Sequence, residues 1–140
     1  MSLYSQTDRN HGSRYENMTA LSFVKLVMAI ILSGIAGTIA NSIVVAYWLN
    51  ISFIDLALSP GRNTVAILVA AFIPFVLGHV VVRKRLAAAI AFSTIAPSIL
   101  AKLVFGLEFP WTFVLAVNLV YGVAATYAFV CLRRFGTIRE

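Results

Sequence analysis

The side chains that could do chemistry in this sequence fall into three groups. Thr94, Ser98 and Lys102 recur every four residues, which on a helix puts two hydroxyls and an ammonium on one face. A stripe crowned by a cation suits the mouth of a pathway that attracts anionic or carbonyl groups. The structural alternative is a lysine whose four-carbon stem lifts its charge to water, with Glu108, just past Gly106, as partner. Asn41 and Asn118 form the second group. Gly34, Thr38 and Asn41 share a helix face, as do Asn118, Gly122 and Ala125. Small residues let helices approach and an amide can hydrogen-bond across the contact, so both faces read as helix–helix glue. Their functional alternative is a lined pathway or ligand pocket. His79 stands alone, one helical turn before Arg83. It reads as an interfacial histidine, with a proton relay as the alternative.

What these groups lack excludes most catalysis. No nucleophile–base pair, phosphate loop or metal-spaced cluster occurs, so no enzyme, metal or cofactor is expected. Haem ligation by two imidazoles would need a second subunit, since His79 is the one histidine in an apolar run. A single cysteine, Cys131, excludes an intrachain disulfide.

The elements that carry these residues are long apolar runs. Of 140 residues, 61% are hydrophobic and 11% charged, where soluble domains carry roughly 25% charged residues. Leu26–Leu49, Thr64–Val82, Leu86–Phe105 and Phe109–Leu132 contain no acidic side chain and, Lys102 apart, no lysine or arginine. A hydrocarbon core of ~30 Å takes about 20 helical residues, so each run can cross it. The alternation of a membrane β-barrel is missing. The expected fold is all-α, an integral membrane bundle of four transmembrane helices. The first run exceeds a signal-peptide core of about 7–15 residues and is read as a retained span. A proton- or sodium-coupled exporter usually keeps a carboxylate within the membrane; none lies in these runs. Pro74 and Pro97, near the middle of spans two and three, each remove an amide hydrogen bond and free a carbonyl.

Charge sets the expected orientation. Arg9, Arg14 and Lys25 precede span one, Arg83–Arg85 join spans two and three, and Arg133, Arg134 and Arg139 follow span four. All fall on one side, against Arg62 and Lys102 on the other. Positive charge resists translocation, so both termini are expected in the cytoplasm. The net charge of +6 is thereby a topology signal rather than a nucleic-acid footprint. Residues 1–25 read as a polar N-terminal tail, 26–132 as the transmembrane domain and 133–140 as a basic C-terminal tail. Tyr47-Trp48 and Phe109-Pro-Trp111 stand at the two outer boundaries, where amphipathic rings favour the headgroup level. Between spans one and two, "ISFIDLAL" suits a short apolar turn lying on the membrane. Asn50-Ile-Ser52 there matches a glycosylation sequon, a pattern common by chance.

The order of "AGTIANSIVVAYWL", "VLGHVVVRKR", "STIAPSIL" and "LAVNLVYGVAATY", with a proline-containing loop between the first two, resembles a family of small four-span bacterial membrane proteins classed as a domain of unknown function. The likeness covers roughly residues 30–134. It implies the four-helix architecture and no activity; if the chain is bacterial, the expected place is the cytoplasmic (inner) membrane. Where such proteins carry a histidine in span four, this chain has Asn118.

Three functions fit. The first is a non-enzymatic accessory or assembly subunit of a larger membrane complex, suggested by small-residue faces without ionisable machinery. The second is a homo-oligomeric channel or carrier for a small solute, built from parallel subunits because the charge bias forbids dual orientation. The third is a protein that contacts lipid or quinone. In each the partners are the bilayer and other membrane subunits or further copies of the chain, and not nucleic acid.

Overall fold

Continuous apolar sequence with few breakers gives long helices, and every described element is helical. The computed structural model describes the backbone of residues 4–137 and the side chains of residues 21–134. The order is α1 (Tyr4–Leu49), α2 (Phe53–Ala57), α3 (Pro60–Ala71), α4 (Ile73–His79), a 3₁₀ turn (Val82–Lys84), α5 (Arg85–Ile99), a π-helical turn (Leu100–Val104) and α6 (Trp111–Thr137). Among the described residues, four stretches are long and apolar enough to span a membrane: Leu21–Leu49, Pro60–His79, Val82–Val104 and Trp111–Arg134. The polar segment before residue 21 continues α1 from Tyr4. The side chains of Arg9 and Arg14, and Arg139 as a whole, lie outside the described residues.

Where the helices stop is set by single residues. Asn50 closes α1 in the left-handed conformation (φ 53°), and the Ile51 amide returns to the Ala46 carbonyl at 3.3 Å. That is a Schellman-type stop, with asparagine in the place that glycine usually takes. The apolar turn expected after it is α2, whose amide at Asp55 donates to the Ser52 hydroxyl. Span two starts at Pro60, a helical turn ahead of the apolar run at Thr64, because proline at the first helical position has no amide to satisfy. Pro74 then divides the span. Without an amide it cannot bond back to Ala70, and α3 and α4 meet at Phe72. At the other end of α4 the chain extends through Val80 and Val81 before α5, and Arg85 Nε donates to the Val80 carbonyl at 2.7 Å. The link to span three therefore includes these valines as well as the basic residues.

The helices close a ring. α1 packs on α6 and α3, α5 packs on α6, and α3 with α4 completes the circuit against α5. Glycine sets three of these contacts: a Cβ on Gly34 would stand 2.9 Å from Ile67 Cα, one on Gly37 would stand 2.5 Å from Tyr121 Cδ2, and one on Gly122 would stand 2.9 Å from the Ile90 carbonyl oxygen. The interior is small and hydroxylic, with Ser33, Thr38, Ser42, Ser93, Thr94, Ser98 and Thr126 all buried. Ser33, Thr38, Thr94 and Ser98 each donate to a carbonyl of their own helix. Many leucines, isoleucines and phenylalanines face outward instead, as at Leu32, Ile39, Phe75, Ile95 and Leu119, while Ile73 and Phe129 are buried. Water penalises so continuous an apolar exterior, whereas lipid tails are indifferent to it and leave helix contact to small-residue packing.

Candidate functional site

Four spans supply one connected set of polar groups. Arg62, in the first turn of α3, donates from Nη2 to Asn41 Oδ1 at 2.6 Å. Asn41 Nδ2 donates to the Val117 carbonyl at 3.1 Å and to Asn118 Oδ1 at 3.2 Å. Asn118 Nδ2 donates to Ser98 Oγ at 3.0 Å, and Ser98 Oγ donates to the Thr94 carbonyl at 2.7 Å. Arginine dictates the direction of this chain. A guanidinium has donors only, so the oxygen of Asn41 must face it, and the amide nitrogen must face Asn118. Asn118 in turn offers its oxygen to Asn41 and its nitrogen to Ser98. The amides can point one way only.

Beside the network lies a cavity of about 550 Å³ at the end of the bundle that carries α2. Asn41, Asn118 and Tyr121 form its polar boundary, Arg62 stands on its wall, and residues such as Val45, Val65, Val114 and Phe105 make the rest apolar. Pockets that hold small ligands measure ~300–1,000 Å³ and combine apolar walls with few polar groups, which is the composition here. Tyr121 helps to fix the shape. Only 4% exposed, it donates to the Ala66 carbonyl at 2.5 Å and so ties α6 to α3.

The residues singled out from sequence divide cleanly. Asn41, Asn118 and Ser98 meet in the network; Thr94 joins through its carbonyl, while its hydroxyl bonds to Ile90. Lys102 stands apart. Pro97, Ala101 and Phe105 face the cavity, and Lys102, one position further round the helix, is not in its lining. Its ammonium donates to the Leu107 and Phe109 carbonyls, both at 2.7 Å, and lies 5.8 Å from the Trp111 ring centroid. Among the described residues no ion pair joins it to Glu108, which is exposed. The cause is local: past the π-helical turn, Gly106 (φ 63°) reverses the chain and aims two carbonyls at the lysine. Carbonyls at 2.7 Å serve the cation without fixing a flexible glutamate. Lys102 thus clamps the α5–α6 loop. Lys102→Met should leave the bundle folded and loosen that loop, costing about 0.5–2 kcal/mol; proteolysis after Phe105 or Leu107 measures it. His79 lies at the opposite end, stacked on Phe75 at 4.0 Å, with Nδ1 2.9 Å from the Phe75 carbonyl.

Sequence reasoning missed Arg62 and Tyr121. Arg62 reads as a loop charge while span two is begun at Thr64. Ser59-Pro60, a helix-start signal, moves it into the helix. Tyr121 follows Asn118 by three residues and so shares its face, but a tyrosine in an apolar run carries no other mark.

Compared with protein-family models, with curated proteins and with solved structures, the chain matches none.

Proposed function

We propose that this is a non-enzymatic, multi-pass membrane protein that holds an amphiphile between its helices, the lipid-contacting function among those the sequence allows. The observation that carries it is the cavity: apolar walls from all four spans, bounded by a network whose amides are locked in one orientation. With the basic residues held in the cytoplasm, both termini are inside and the cavity faces the outer side of a cytoplasmic membrane. Cysteine labels at Ser59 should then react with an impermeant reagent in intact cells, and labels at Lys84 should not. The reverse pattern would overturn the orientation.

An accessory subunit is supported by one feature only, the broad apolar faces of α1 and α6, which lipid covers equally well. A pore through the single bundle finds less support, since the interior beyond Tyr121 is closed by Ala125 and Phe129, 0% and 3% exposed. Val114, 6% exposed, lines the cavity, and tryptophan there would narrow it. In phosphatidylcholine nanodiscs the protein should bind a fluorescent long-chain alcohol saturably, and folded Val114→Trp should bind it more weakly. Non-saturable partition that Val114→Trp leaves unchanged would contradict the reading.

A further inference from the structure

The geometry points to Arg62 as the receptor for the anionic head, a carboxylate or a phosphate, of a single-chain amphiphile whose apolar part occupies the cavity. This inference rests on the cavity being a ligand site and adds the chemistry that selects the ligand.

Its basis is a charge without a partner of opposite sign. Arginine stays protonated in proteins and offers five N–H donors. Among the described residues Arg62 makes one hydrogen bond, to the neutral oxygen of Asn41. Asp55 and Glu108 are the only carboxylates among the residues whose side chains are described; both are exposed and neither forms an ion pair with it. The half-buried cation therefore stands on the wall of a largely apolar space with donors unspent. A wall of low polarizability strengthens its attraction for an anion, and the planar fork matches two oxygens of a carboxylate or phosphate. Asn41, 6% exposed, holds the guanidinium from one side, and Asn41 is itself held by Val117 and Asn118. The cation is thus held from one side before a ligand arrives. A small inorganic anion would leave the apolar walls uncovered, whereas an acyl chain buries them.

The amine at Lys102 does not compete for this role. Two carbonyls already take two of its three donors, and it is outside the lining. The second cavity, about 490 Å³ at the opposite end beside Pro74, Arg133 and Arg134, is likewise separate from Arg62.

The test is competition in phosphatidylcholine nanodiscs holding the full chain, with radiolabelled palmitate as the probe. Unlabelled palmitate and lysophosphatidic acid should displace it at least about tenfold better than methyl palmitate, a difference that one lost charge-assisted contact readily gives. Inorganic phosphate and acetate, which have the head without the chain, should displace little. Arg62→Gln should remove the preference for acid over ester, and Arg62→Lys should restore part of it. Should Arg62→Gln fail to fold, the acid-to-ester ratio of the unaltered protein decides alone. Equal displacement by acid and ester overturns the head-group assignment and leaves the cavity reading standing. Displacement by phosphate as strong as by palmitate overturns the amphiphile in favour of a soluble anion. Absence of saturable binding by any chain overturns both readings together.

Discussion

Asn41→Leu is expected to destabilise the bundle by about 2–4 kcal/mol, more than any other single polar replacement in the network. Three hydrogen bonds end on this side chain, from Arg62 and to Val117 and Asn118. Each interhelical bond contributes ~0.6–1.7 kcal/mol in membranes, and leucine also strands a guanidinium and an asparagine oxygen that lose their partner. Asn118→Leu breaks two side-chain bonds, to Asn41 and Ser98, from a position that is only half buried. Its cost should be lower, about 0.5–2 kcal/mol. Reversible unfolding of both variants in mixed micelles gives the comparison. Asn118→Leu proving the costlier of the two would show that Asn41 is not the hub.

The combined variant Gly34→Ala with Gly122→Ala should be the most damaging of the small packing changes. At Gly122 the added methyl would stand 2.7 Å from Thr94 Oγ1 and 2.9 Å from the Ile90 carbonyl oxygen. At Gly34 it would stand 2.9 Å from Ile67 Cα. Backbone atoms cannot rotate aside as a side-chain tip can, so α5 must part from α6, and α3 from α1. Overpacking of this kind costs about 1–3 kcal/mol per site. The two contacts are at different helix interfaces, so the costs should sum to about 2–6 kcal/mol. Gly78→Ala is the control. A methyl added at Gly78 would meet no atom within 4 Å, and alanine there should be neutral or slightly stabilising. The same thermal scan serves the combined variant, each of its single changes and the control, and a Gly78→Ala loss equal to that of Gly122→Ala would contradict the close packing of α5 on α6.

How far the sequence discloses this arrangement depends on the range of the interaction involved. The four spans are legible because composition alone sets them: lipid requires long, uncharged helical stretches. The interior faces are legible too, since Gly34, Thr38 and Asn41, or Asn118 and Gly122, announce themselves by spacing among larger residues. Pro74 is readable as a lost hydrogen bond, but whether the helix bends or divides depends on its packing partners. Lys102 shows the limit more sharply. Its spacing from Ser98 and Thr94 is correct, yet the π-helical turn after Pro97 changes the phase of the helix beyond Leu100, and Gly106 brings two carbonyls closer than Glu108. Spacing counted on a regular helix cannot foresee that change. Arg62 is hidden for a different reason. Hydropathy begins the span at the first apolar residue, whereas the backbone begins it at Pro60, and that one turn carries the cation from a loop to the cavity wall.

The claim that the cavity is a ligand site is tested most directly by where a reactive chain lands. A long-chain alcohol bearing a diazirine, photolysed with the full chain in nanodiscs, reports its neighbours by peptide mass analysis. Val114 and Val117 are 6% and 5% exposed and line the cavity, while Leu115 and Leu119, on the same helix, are 37% and 48% exposed. An occupied cavity predicts strong adducts at Val114 and Val117 that an excess of unlabelled alcohol removes, with the adducts at Leu115 and Leu119 unchanged by it. Adducts confined to Leu115 and Leu119 would mean that the chain meets this protein only as bulk lipid, and would contradict a ligand site in the cavity.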